Sequence, residues 1–478
     1  MAASNDGTST HRTSVAVCSI SQIRRGSAFS SDAQPLAAHI TRIDASTPMY
    51  AMTASTLGSS SHGRIPRPPR RPNWLTILAT TEVYPADGLR SPTVPPKIRA
   101  MDRLTDHLAA ALYGQAIGDG MGAPVEGWPP QRIASRFDNV RQFLPPTHSG
   151  DPAAGKGAGR ITDDTLMAEA LIRAYIAHGD HLDAWDFAQY FIPEIANTKV
   201  WVPERQAEMP ILQRLWWPEK YPWLRLTLSH AEPRSAGIGN CVNCGLAMYM
   251  LPIGAVNAGD PQGAYDEAAA FGLAHNESFA LEAGAVMAAC HAAALGDGAT
   301  IDAVLAAAAT LAREGTADAV KACIDAGRAA RDAGDSIAAF IQRTRAAVAP
   351  FDQRTGHTTD DAPLLSTDID TGRPSRRHSI EELPVALACL VYGNGDFDRT
   401  LHAGVFYGRD CDSIAGMAGG LFGGIFGLAA VPEDLRKSSD AANRRNLMDL
   451  AMRFAPVVKR ILAADEQRMG LRRAAVGS

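Results

Sequence analysis

Glycine recurs at 416, 419, 420, 423, 424 and 427 within the stretch Ile414 to Gly427. At helical spacing, glycines three or four residues apart form a strip with no side chains, along which a second helix can approach very closely. Membrane helices use the same device. However, the apolar run Ile414 to Val431 is about 18 residues long and holds six glycines, whereas a spanning helix needs about 20 predominantly apolar residues. It also starts beside Asp410 and Asp412. The expectation is therefore a buried central helix of a soluble protein, without a membrane partner, that holds the Asp410 turn rigidly.

The rest of the chain fits closely packed helices. Of 478 residues, 46% are hydrophobic but only 6% aromatic, and alanine and glycine supply much of the remainder. Leu104, Leu108, Ala111, Leu112 and Gln115 fall at helical spacing, and Gly118 is expected to end that segment. Leu166, Met167, Ala170, Leu171, Ala174 and Tyr175 share one face of a helix that should stop at Gly179. Pro261 to Ala333 is alanine-rich helical sequence. Further helices are expected over Ile380 to Tyr392, from Leu401, over Ile414 to Leu428, and within 436–463. Strand signals are weak, no repeat period emerges, and the predicted class is all-α, a compact multi-helix bundle.

Residues 1–100 differ in kind. They are rich in Ser, Thr, Pro and Arg, include Arg64-Ile65-Pro66-Arg67-Pro68-Pro69-Arg70-Arg71-Pro72, and carry 11 Lys+Arg against 5 Asp+Glu. A disordered, non-essential tail is expected there, or a translation start that truly lies at Met101; a targeting segment is the other reading. Residues 101–465 form the expected catalytic domain and 466–478 a flexible end. Beyond residue 100 the balance is −11 within a total of −5, which gives no sign of a nucleic-acid partner and is compatible with cation binding. Seven thinly scattered cysteines make no disulfide framework, and no apolar leader follows Arg24-Arg25, so a reducing cytoplasm is the expected location.

Two acidic turns carry the chemistry. Thr162-Asp163-Asp164 stands just before one helix, and Asp410-Cys411-Asp412-Ser413 just before another. Each offers a hydroxyl and two carboxylates, hard oxygen ligands of the kind Mg²⁺ and similar cations prefer. Taken singly, each is equally a helix cap. Taken together, four carboxylates can be assembled only if a cation offsets their repulsion. Two metals would polarise a leaving atom and activate water. Glu126, on the Gly118-Asp119-Gly120-Met121-Gly122-Ala123-Pro124-Val125-Glu126 stretch, is placed on a loop free to reach into a site, whereas Asp119 reads as a structural cap or turn former.

These motifs resemble those of the ADP-ribosylglycohydrolases: Gly118-Asp119…Glu126, then Thr162-Asp163-Asp164-Thr165, then Gly408-Arg409-Asp410-Cys411-Asp412-Ser413 before a glycine-striped helix, in order over residues 104–435. The resemblance implies an all-α fold and a dinuclear Mg²⁺ or Mn²⁺ centre held by Thr162, Asp163, Asp164, Asp410, Asp412 and Ser413. It also implies an ADP-ribosyl substrate on a protein or small molecule. Ser413 stands where the family has Thr. Cys244-Gly245-Leu246-Ala247-Met248-Tyr249 stands where it tends to show Asn-Gly-x-x-Met-Arg, a change expected to touch ribose or phosphate contacts. The implied reaction is hydrolysis at the ribose carbon, with Glu126, Asp163 and Asp164 as catalytic candidates. Another N-glycoside or nucleotide as substrate, or a protein that binds ADP-ribose without cleaving it, are the alternatives.

Other features are set aside. Cys241-Val242-Asn243-Cys244 alone cannot complete a zinc site. Thr359-Asp360-Asp361 and Asp368-Ile369-Asp370 read as surface carboxylates in a polar loop, and His275 as a capping or core histidine.

Overall fold

The computed structural model describes residues 101–136, 142–146, 155–203, 205–351 and 379–477. The amino-terminal hundred residues and the acidic stretches at 359–361 and 368–370 lie outside them.

Helix α1, Arg103–Gly122, starts where the Asp102 carboxylate accepts the Thr105 N–H, and it does not stop at Gly118. The reason is packing. Its partner is α15, Cys411–Phe426, the glycine-striped helix. A Cβ on Gly114 would lie 2.0 Å from the Gly419 carbonyl oxygen, one on Gly118 2.2 Å from that of Ala415, and one on Gly423 2.1 Å from that of Ala110. At the far end, a Cβ on Gly122 would lie 2.5 Å from Asp412 Cα. The glycines before Glu126 thus serve close helical approach rather than unusual backbone angles, and the seam they form delivers the last turn of α1 to the first turn of α15.

Among the described residues fifteen further α-helices surround or extend this pair: α2 (Pro130–Arg136), α3 (Asp163–His178), α4 (Ala184–Asp186), α5 (Ile192–Asn197), α6 (Trp217–Trp223), α7 (Leu251–Val256), α8 (Pro261–Gly272), α9 (Ser278–Leu295), α10 (Ile301–Leu311), α11 (Glu314–Ala333), α12 (Ile337–Val348), α13 (Glu382–Gly393), α14 (Phe397–Tyr407), α16 (Glu433–Asn443) and α17 (Leu447–Val476). α9 packs on the other side of the glycine stripe. Cβ atoms on Gly424 and Gly420 would meet Ala294 Cβ and His291 Cε1, each at 3.1 Å. α9 is also the one described helix long and apolar enough to cross a membrane, and 72% of it is buried inside the fold.

The class is all-α. The exception is a two-stranded antiparallel ribbon, β1 (Lys199–Val202) against β2 (Ala207–Pro210), in the tryptophan-rich region. Trp201 there serves as a platform for the Arg444 guanidinium, 3.4 Å from the ring centroid. The helix beginning at Leu447 continues through residues 466–476, past the boundary drawn at 465 from the sequence, with its last turns exposed.

Candidate metal centre

Several helix starts elsewhere use their side chains locally: Thr300, Ser336 and Asp396 each accept an N–H of their own first turn. The two acidic turns behave differently. Neither Thr162 before α3 nor Asp410 before α15 makes such a cap bond among the described residues. The start of α3 is instead capped from a distance. The Asp119 carboxylate accepts the backbone N–H of Thr162 (2.9 Å), that of Thr165 (3.3 Å) and the Thr165 hydroxyl (2.6 Å). Asp119 is fully buried and structural, and it leaves the Thr162 hydroxyl to donate to Asp164 Oδ2 at 3.0 Å. Asp163 and Asp164 are thereby released from capping.

The second turn is tied to the Glu126 loop through the backbone. Gly127 N–H donates to the Arg409 carbonyl at 2.7 Å, and Arg409 N–H to the Trp128 carbonyl at 3.3 Å. Gly408 has φ +73°, and a Cβ there would lie 2.2 Å from the Trp128 oxygen, so only glycine fits this crossing. This clamp brings one carboxylate oxygen each of Glu126, Asp410 and Asp412 within 4.8 Å of one another. Asp163 and Asp164 stand outside that tight trio, yet the two turns act on each other electrostatically: Asp164 lies in the field of Asp412 and Asp410, and Asp412 in that of Asp163.

Burial dominates the ionisation. It raises Asp164 and Asp410 well above the ordinary carboxylate range, and neighbouring negative charges push the same way. Glu126 is lifted to about 7 by burial and then by Asp412, against the pull of Lys156. Asp412 Oδ1 is buried with no hydrogen-bond partner among the described residues. A buried carboxylate oxygen left in this way is costly. An all-oxygen, charge-dense donor set with an unmatched lone pair suits a hard divalent cation, and Thr162 and Ser413 add hydroxyls at its edge.

Lys156 and Glu219 escaped the sequence reading, and Cys244 has contacts that the reading did not assign. Lys156, between two glycines in a loop, forms an ion pair with Glu126 and lies 3.8 Å from Asp412 Oδ2. Nothing in its sequence context distinguishes it from a solvated loop lysine. Cys244 is not half of a redox pair: its thiol donates to Asp410 Oδ2 at 2.9 Å and lies 3.6 Å from Ser413 Oγ, and the six described cysteines are free. Glu219, from the tryptophan-rich region, is buried within the field of Asp163 and lifted to about 8, chiefly by desolvation. It fits because Gly245 has no side chain; a Cβ there would lie 2.2 Å from Glu219 Oε1.

Tyr249 differs from its expected place near ribose or phosphate. It is fully buried, stacks on Phe191 and hydrogen-bonds His275 Nδ1 at 2.7 Å. His275 is a core histidine, its pKa pulled down to about 3 by burial.

An almost wholly helical scaffold thus buries a cluster of acidic oxygens where helix ends and a loop come together, a carboxylate-centred all-α fold. The chain belongs to the ADP-ribosylglycohydrolase family, whose model matches residues 100–465. It is similar to YegU, an uncharacterised protein of Escherichia coli K12, at 26% identity over 348 residues, covering 71% of this chain and 93% of that one. An uncharacterised Archaeoglobus fulgidus protein is 27% identical over 153 residues, 30% of this chain and 41% of that protein. A solved ADP-ribosylglycohydrolase-related protein complex superposes with a TM-score of 0.46 at 20% identity, covering 74% of this chain and 99% of that one.

Proposed function

We propose that this protein hydrolyses the glycosidic bond of an ADP-ribosyl group carried by a protein or a small molecule, and that it requires two Mg²⁺ or Mn²⁺ ions. The observation that carries the reading is the gathering of Glu126, Asp410 and Asp412 oxygens within 4.8 Å, together with the unmatched Asp412 Oδ1. In this reading Thr162, Asp163, Asp164, Asp410, Asp412 and Ser413 hold the ions. The ions supply Lewis-acid polarisation and favour deprotonation of water.

The remaining work falls to the chain. Water adds to the ribose carbon as the bond to the acceptor breaks through an oxocarbenium-like state, and the acceptor leaves with a proton. Glu126, poised at about 7, is placed to take the proton from water and pass it on. Asp163 and Asp164 orient the water, and the Asp119 clamp fixes both.

A second reading keeps the reaction and changes the acceptor or nucleoside. It is favoured by Cys244, which sits against Asp410 where the family tends to carry Asn. Incubation with ADP-ribosyl-arginine protein, other ADP-ribosyl linkages and simple N-glycosides, each with Mg²⁺, Mn²⁺ or EDTA, tests both. Metal-dependent release of ADP-ribose supports the main reading, and release from another glycoside alone supports the second. Binding of ADP-ribose with no release from any substrate would overturn hydrolysis altogether.

A further inference from the structure

Lys156 is a buried lysine in an unusual position. Its side chain is 11% exposed, in a class of residue that is almost never buried unless paired. Its partners are Glu126, with which it forms an ion pair, and Asp412, with Oδ2 at 3.8 Å. Glu126 and Asp412 belong to the trio whose oxygens gather within 4.8 Å. The ammonium therefore stands against two of the three carboxylates. Asp163 adds to the field around it from the other acidic turn.

The loop that carries Lys156 is anchored on its carboxyl-terminal side. A Cβ on the following Gly157 would lie 2.5 Å from the backbone nitrogen of Pro146, and Ala158 N–H donates to the Leu144 carbonyl at 2.6 Å, so the chain after the lysine is pinned. Before it, Gly155 has φ +77° and, among the described residues, nothing within 4 Å of where its Cβ would be. A flexible four-carbon stem on such a base delivers a compact charge that can be withdrawn.

We infer that Lys156 is an internal competitor for the divalent cation at Asp412: its ammonium ties Asp412 to Glu126 when no ion is bound and must give way for full metal occupancy. The inference rests on the metal-centre reading above. Lys156 thereby sets how much metal is needed to charge the site. It makes Lys156 a positioning residue, since it acts through the carboxylates.

The test is equilibrium dialysis of the full chain against Mn²⁺, with bound metal counted per chain, for wild type, Lys156→Met and Lys156→Arg. Met keeps the stem and removes the charge. Lys156→Met is expected to bind Mn²⁺ at least about tenfold more tightly, because a like charge has gone from the ligand oxygens, while Lys156→Arg stays near wild type. In EDTA, thermal melting of Lys156→Met is expected below wild type, and Mn²⁺ is expected to raise it by more than it raises wild type. Unchanged or weaker Mn²⁺ binding by a folded Lys156→Met overturns the inference. If wild type binds Mn²⁺ and Lys156→Met binds it equally, the competitor role alone fails. If neither binds, the metal centre fails with it.

Discussion

The molecule buries two acid clusters and balances them in opposite ways. Behind the site, Glu169 of α3 is 2% exposed and is matched by two guanidinium groups, Arg173 at 3.2 Å and Arg445 at 3.3 Å, with Arg173 also held by Glu194 at 3.0 Å. At the other cluster, Lys156 pairs with Glu126 and lies 3.8 Å from Asp412 Oδ2, and Asp412 Oδ1 has no hydrogen-bond partner among the described residues. Glu169 and Asp163 lie on the same helix, less than two turns apart in sequence. The difference shows that this fold can supply fixed arginines to a buried carboxylate where it needs only stability. At the front cluster Asp412 keeps an unmatched oxygen among the described residues, a donor free for a cation from solution.

The contrast can be broken most forcefully in the front cluster. Asp412→Ala or Asp163→Ala is expected to lower ADP-ribose release by about a thousandfold with the helical circular dichroism unchanged. A rate within tenfold of wild type in either variant would remove that residue from the site.

The seam comes next. Gly114→Val places a side chain against the Gly419 carbonyl and is expected to cost roughly 3 kcal/mol or more in chemical denaturation. Because the same seam seats Asp412, activity should fall along with stability. A smaller comparison separates the clusters directly. In EDTA at pH 8, Asp410→Asn is expected to raise the melting temperature by relieving repulsion from Asp412, Glu382 and Glu126, whereas Glu169→Gln, which strands two arginines, is expected to cost about 2 kcal/mol. Two shifts of the same sign would erase the distinction.

Much of this was legible from the chain, and the reasons are specific. The glycine stripe at 416–427 predicted a close helical partner because a missing side chain can be compensated only by another backbone. The two acidic turns were legible as a pair, since hydroxyls and carboxylates before two separate helices are rare enough to notice. Gly118 was misread as a stop because its role depends on Ala415, nearly three hundred residues away. Lys156 and Glu219 were invisible for the same reason: a lysine between glycines and a glutamate among tryptophans acquire meaning only from what tertiary packing brings to them. Tyr249 looked like a ligand contact by its alignment with the family motif, but Phe191 and His275 claim it for the core.

The smallest expected effect is in pH. Without metal, the native protein retains protons on Glu126, lifted to about 7, and on Glu219 and Glu382, both lifted to about 8, whereas the unfolded chain releases them near 4.5. The native state then binds more protons, so stability falls as pH rises. His181, raised to about 9 with Glu267 and Asp465 as partners that outweigh its burial, acts in the same direction. His275 and His291, both depressed to about 3 by burial, oppose it only below their ordinary 6.5. In EDTA the melting temperature is therefore expected to drop between pH 6.5 and 8, on the order of 5 °C. Saturating Mn²⁺ is expected to flatten the slope, because the ion takes deprotonated ligands. An equal slope with and without Mn²⁺ would detach the raised carboxylates from metal binding.

Calorimetric titration of Mn²⁺ into wild type, Asp163→Asn and Asp412→Asn bears most directly on the convergence of the two acidic turns. If residues from both turns share the ions, wild type gives a binding isotherm and each single substitution, made in a different turn, weakens it by at least about a hundredfold. Full-strength binding in either folded variant would mean that the two turns do not form one centre.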